Sequence, residues 1–269
     1  MKGYKERIQD MDRMFKLQSE WHDEVRFQDP AAIARLLGYR APYYFDRWAF
    51  AAYDDEPSLE EDGLRCIPIG TVQFVGKWLE TLGAADPKMT PLEVPAALSA
   101  YLGREYFVSK GADIPAECLD GSKWFVKDAG QLKKWNSNLY DDRDLSCFIE
   151  PDELYVVSQR VPLVSEWRAF VFEDEIVGCE NYSGELLAFP DGKRLEEMVA
   201  TYAADLHPSA YTLDVGVLKD GTTIPIEIHP FVACGLYGFN DPVLLNMFEG
   251  GWLWYFSQSD ACPKIAESR

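Results

Sequence analysis

Asp220-Gly221 lies between two apolar runs, Thr212 to Leu218 and Thr223 to Ile228. In that setting it is the strongest short-range signal for an antiparallel hairpin with a two-residue loop. Such a loop fixes the register. Lys219 faces Thr222, and Asp214 falls opposite Glu227. His229, two residues beyond Glu227, points to the same face. Facing Cβ atoms sit about 4.5–5.5 Å apart, where like charges repel. A shared divalent cation relieves that repulsion, because hard cations gather carboxylate oxygens at roughly 2 Å. The alternative is a hairpin end whose carboxylates simply face water; both acids sit inside apolar strands, which favours the cation. Pro225 cannot donate to a ladder and marks an edge or irregular position.

Further strand-like runs occupy the second half: Trp124 to Lys127, Leu154 to Val161, Trp167 to Phe172 and Glu175 to Cys179. One helix interrupts them, Arg194 to Leu206, with Leu195, Met198, Val199, Tyr202 and Leu206 at helical spacing. Residues 1 to about 105 read instead as helices and loops. The helix candidates are Ile8, Met11 and Phe15 on one face, Ala31 to Leu37, Val72 to Leu82 behind a Thr71 cap, and Pro91 to Leu102. The charged stretch from Asp54 to Gly63 reads as a solvated loop, and Asp86-Pro87 marks a break. These patterns predict an α+β fold, with a smaller helix-rich domain over 1–105 and a second region over 106–269.

The net charge of −19 argues against nucleic acid and anionic lipid as partners. No run reaches the ~20 apolar residues of a membrane helix. The segment Met1 to Arg7 has no apolar signal core, and the six cysteines form no CxxC pair, so reduced thiols in the cytoplasm are expected. His22 and His207 read as surface or structural residues.

Asp214, Glu227 and His229 resemble the late hairpin of the ATP-grasp superfamily, where an acid on one strand and a Glu-x-Asn pair on the next hold magnesium. Here His stands where Asn is usual; either its softer ligation favours manganese, or it acts through water, or it contributes nothing to the site. The run Pro230 to Gly238 resembles the segment that follows this motif in a phage-associated clade of the superfamily, and Ile67 to Val75 is similar to that clade's leading domain. Trp124-Phe125-Val126-Lys127 resembles the strand ending in an ATP-binding lysine. Tyr155 to Val161 is similar to the strand leading to the adenine hinge, which implies that role for Gln159, Arg160 and Val161. Glu166-Trp167-Arg168 resembles the acid-x-Arg strand, so the resemblance aims Arg168 at the γ-phosphate or an acyl phosphate, where two parallel hydrogen bonds suit a guanidinium. The alternative is an Arg168 paired with a carboxylate across the Glu173-Asp174 hairpin. Lys134 either reaches phosphate or is solvated, and either Lys88 or Lys110 is the earlier lysine of the family pattern. Gly130 is the sole glycine close behind Lys127, so the usual flexible flap is expected to be short.

The resemblance spans Val108 to Gly238 and implies a ligase that joins a small-molecule or peptide carboxylate to an amine, using ATP with Mg2+ or Mn2+. The implied route passes through an acyl phosphate and releases ADP and phosphate. A small-molecule kinase on the same fold and an inactive nucleotide-binding scaffold are the alternatives.

Overall fold

The computed structural model describes residues 12–20, 30–44, 46–62, 64–84 and 88–257. It divides into two compact units: residues 1–87 with 208–211 and 230–269, and residues 88–207 with 212–229. The division anticipated near residue 105 falls inside the second unit.

The first unit is built on a sheet where the sequence pattern pointed to helices. Strands β1 (Arg13–Gln18), β2 (Arg47–Ala51), β3 (Glu60–Glu61) and β4 (Leu64–Ile69) are ordered β2-β1-β4-β3. β1 runs parallel to β2 and β4, while β3 is antiparallel to β4. Phe15, expected on a helix, is fully buried in β1; Ile8 and Met11 lie outside the described residues. The physical reason is coverage on both faces, which erases the alternation that betrays a strand: β4 is buried at all six positions. The stretch after Asp54 is largely exposed as expected, but Glu60–Glu61 pairs with β4. Two helices match the pattern better, α1 (Pro30–Tyr44) and α2 (Val72–Thr81). The Thr71 hydroxyl caps α2, accepting from the Phe74 amide at 3.2 Å, one of the donors a helix start leaves unpaired.

The second unit holds two sheets. β5 (Tyr106–Lys110), β6 (Trp124–Asp128) and β7 (Leu154–Gln159) form an antiparallel sheet ordered β5-β7-β6. β8 (Leu163–Phe172), β9 (Glu175–Gly184), β10 (Ala210–Leu218) and β11 (Thr223–Pro230) form the other, ordered β11-β10-β8-β9. Helix α3 (Gly192–Tyr202) starts at Asp191, whose side chain accepts from the Arg194 amide, and packs against β9. It ends before Leu206, which is exposed. The helix expected over Pro91 to Leu102 is only a short 3-10 turn, Ala96–Tyr101, since Pro91 and Pro95 remove amide donors ahead of it. In the first unit, α4 (Leu244–Ser257) packs on β4. A Cβ at Gly251 would lie 2.1 Å from the Phe231 carbonyl oxygen, so only glycine permits that approach.

The β10–β11 hairpin corrects the expected register at its mouth. The Gly221 amide donates to the Leu218 carbonyl and the Leu218 amide to the Thr222 carbonyl, each at 2.9 Å. Gly221 has φ +85°, the left-handed geometry of a three-residue loop closed by a glycine bulge. Leu218 therefore faces Thr222, one residue off the expected pairing. Arg104 reaches the carbonyls of both Pro225 (2.7 Å) and Ile226 (3.4 Å). Asp214 and Glu227 nonetheless lie close enough for the charge of Glu227 to act on Asp214.

Candidate active site

β6 carries Lys127 into the second unit, and Val126 before it is fully buried in the sheet's core. The Lys127 ammonium lies 3.1 Å from Glu227 Oε2 on β11 and 3.7 Å from Glu93 Oε2. Burial alone would lower its pKa, but Glu227, Glu93 and Asp214 outweigh burial and raise it. Lys127 therefore stays charged. Glu227 is subject to burial pushing its carboxyl up, yet the charges of Lys127, His229 and Arg168 pull it down to about 2. About a third of the Glu227 side chain remains solvent-exposed, 33%.

Arg168 sits on β8 between two register irregularities, at Glu166/Trp167 and Phe170/Val171. Bulges of this kind re-aim side chains. Its Nε donates to Asp214 Oδ1 and its Nη2 to Asp214 Oδ2, both at 2.7 Å. Arg168 thus pairs with Asp214 on β10. Both residues are buried, and burial pushes the Asp214 carboxyl up to about 6 despite the guanidinium. Glu166 accepts from the Tyr182 hydroxyl at 3.1 Å, and the Tyr182 ring lies under Arg168, 5.9 Å from its centre.

The other anticipated residues are placed less centrally. Gln159 ends β7 and is exposed, and its amide donates to the Glu105 carbonyl at 2.9 Å. Arg160 gives its side-chain N–H groups to the carbonyls of Gly121, Trp124 and Ser137, so it braces the loop before β6. Val161 is half-buried. Lys110 is exposed at the end of β5. Lys134 pairs with Asp128 at 3.0 Å and Glu153 at 3.5 Å, and the Asp128 bond comes first among the causes raising its pKa. His229 is buried on β11.

Sequence reading missed two residues here. Glu93 follows Pro91 in a segment without periodicity and accepts from the Tyr106 hydroxyl at 2.8 Å. Burial is the largest influence on Glu93 and raises its pKa. Arg104, one residue short of the anticipated boundary, donates to the Ser158 hydroxyl at 2.8 Å as well as to the β11 carbonyls. Nothing in the pattern around these two announces them; only their side-chain contacts with β5, β6, β7 and β11 bring them to the site.

Among the described residues, no group of three His, Cys, Asp or Glu side chains is gathered to hold a metal ion. Asp214 and Glu227 each feel the other's charge, and each is matched by a protein cation. Two carboxylates suit Mg2+, which commonly takes one or two carboxylates and fills its shell with substrate phosphates and water. No described helix is long and apolar enough to cross a membrane.

No curated protein matches the chain in sequence. Solved structures do match its fold. The D-alanine–D-alanine ligase of Bacillus anthracis complexed with ATP superposes with TM-score 0.54 at 15% identity, covering 90% of this chain and 97% of that one. A D-cycloserine synthetase gives TM-score 0.52 at 10% identity, covering 90% and 99%. A RimK-domain ATP-grasp protein of Sphaerobacter thermophilus gives 0.51 at 13%, covering 91% and 98%. A family model also matches residues 101–247, more than half of the chain, and its two-sheet unit holds the charged pairs described above. The chain therefore belongs to the ATP-grasp family, as an ATP-grasp domain of R2K clade family 2.

Proposed function

We propose that the chain is an ATP-dependent carboxylate–amine ligase that forms an acyl phosphate and releases ADP and phosphate. The observation that carries this reading is the double ion pair of the second unit, Lys127 with Glu227 and Arg168 with Asp214. Each pair couples a phosphate-binding cation to a metal-binding acid. Lys127 and Arg168 turn toward phosphate oxygens when ATP arrives together with its divalent cation, freeing the two carboxylates. Asp214 and Glu227 would hold a divalent cation, which would neutralise charge on the transferring phosphoryl group. Arg168, planar and bidentate, suits the γ-phosphoryl oxygens, and Lys127 acts as a point charge. Gln159 to Val161 offer backbone groups to the adenine edge, with Lys110 or Lys88, Lys134 and Glu166 at the margins. The reacting carboxylate attacks the γ-phosphorus, ADP leaves, and the amine then displaces phosphate from the acyl carbon. Catalysis here is positioning and electrostatics and needs no covalent nucleophile.

The test is product analysis with pools of carboxylates and amines. ADP and phosphate are expected, with hydroxylamine trapping the acyl phosphate. AMP with pyrophosphate overturns the reading. ADP formation without a trappable acyl group indicates a kinase, and metal-dependent nucleotide binding without turnover indicates a scaffold.

A further inference from the structure

Lys127 has two carboxylate neighbours, and they differ in how their oxygens are used. Glu227 Oε2 already takes the ammonium at 3.1 Å. Glu93 Oε2 is held by the Tyr106 hydroxyl at 2.8 Å, and that hydroxyl in turn accepts the Val94 amide at 3.1 Å. The phenol is thus fixed from both sides and points Glu93 toward Lys127, 3.7 Å away. Glu93 Oε1 is buried with no hydrogen-bond partner among the described residues. A buried acceptor left unmet is costly, and proteins rarely keep one without a state in which it is filled. An ammonium has three N–H groups and can serve two carboxylates in turn.

We propose that Glu93 is a positioning residue that provides a second seat for Lys127, taken when a divalent cation claims Glu227. This rests on the reading of Lys127 as a phosphate-facing lysine and of Glu227 as an acid for the cation. A divalent cation at Glu227 repels the ammonium beside it. Lys127 then shifts to Glu93, the remaining carboxylate within reach, and the unmet oxygen gains its donor. The lysine thereby stays charged and pointed at phosphate while its former partner changes role.

The experiment measures ATP affinity of the full chain by tryptophan fluorescence, once with Mg2+ and once with a chelator. Glu93→Gln is expected to weaken ATP binding with Mg2+ by about tenfold or more, the loss of one charge-assisted contact. With the chelator the change stays under about twofold, since Lys127 then remains on Glu227. Tyr106→Phe moves in the same direction by about threefold, and it carries the test if Glu93→Gln does not fold. The melting temperature without nucleotide stays near that of the unmodified chain, whereas a purely structural Glu93 would lower it. Equal losses with and without Mg2+, or no loss in either, overturn the proposal. Lys127→Met separates the two levels. If it abolishes binding while Glu93→Gln does nothing, only the second seat falls. If the unmodified chain binds no ATP, the functional reading falls and this inference with it.

Discussion

In the first unit Arg13 gives four hydrogen bonds, two to Asp46 at 2.8 and 2.6 Å, one to Asn246 at 2.7 Å and one to Glu249 at 2.9 Å. Arg65 meets the other oxygen of Glu249. Two guanidiniums thus face two carboxylates. In the second unit Lys127 and Arg168 face three, Glu93, Asp214 and Glu227, and one buried oxygen has no donor. A balanced knot of charge belongs to the architecture, joining β1, β4 and α4. An acid excess around buried cations leaves room for a further positive charge, and that is what a cation-dependent site requires.

The largest effect expected from this contrast lies in the first unit. Arg13→Met leaves Asp46 buried without its partner and should cost on the order of 3 kcal/mol of stability, read by denaturant unfolding. Affinity for ATP should change by less than about twofold in the fraction that remains folded. A parallel collapse of affinity would mean the two knots are not separate devices.

Arg168→Lys attacks the second knot more gently. It keeps the charge and loses the fork, so turnover should fall on the order of 100-fold while ATP affinity changes little. Lys127→Met should instead weaken affinity itself. Steady-state kinetics beside direct binding distinguish the two, and equal small effects would reduce both residues to structural ion pairs.

The smallest effect is a pH dependence of stability. The Asp214 carboxyl is raised from 3.8 to about 6, so its contribution is complete below 3.8 and is lost as pH rises through 6. Glu227 is depressed from 4.5 to about 2, so its contribution is present above 4.5 and is lost as pH falls through 2. Together they favour the range near pH 4 to 5. Asp214→Asn should flatten the decline in melting temperature between pH 4.5 and 6 without altering the loss at lower pH. An unchanged slope would show that burial does not dominate at Asp214.

Short runs of β-branched and aromatic residues bounded by turn residues made β6 through β11 stand out, as did α2 with its Thr71 cap. β1 and β4 did not, because a parallel strand covered on both sides carries no alternation and Phe15 happens to lie at helical spacing from Met11. Lys127, Arg168, Asp214 and Glu227 could be nominated from their order along strands. Their pairing with one another could not, since Lys127–Glu227 depends on two sheets meeting and Arg168–Asp214 on β8 lying beside β10. Glu93 and Arg104 sit in irregular chain, where neighbours in space leave no trace in spacing. The hairpin loop was misjudged by one residue because Asp-Gly serves two-residue loops and glycine-bulge loops alike.

Arg104 has a consequence beyond holding β11 in place. β11 is the terminal strand in its sheet, and such borders invite a stray extended segment, from another copy or a nascent chain, to add on. Along this border Pro225 offers no N–H, and the carbonyls of Pro225 and Ile226 already accept from the Arg104 guanidinium. A visiting strand finds no N–H at Pro225 and two carbonyls already accepting from Arg104. The residue that anchors the strand leading to Glu227 thereby also guards the protein against edge-to-edge aggregation.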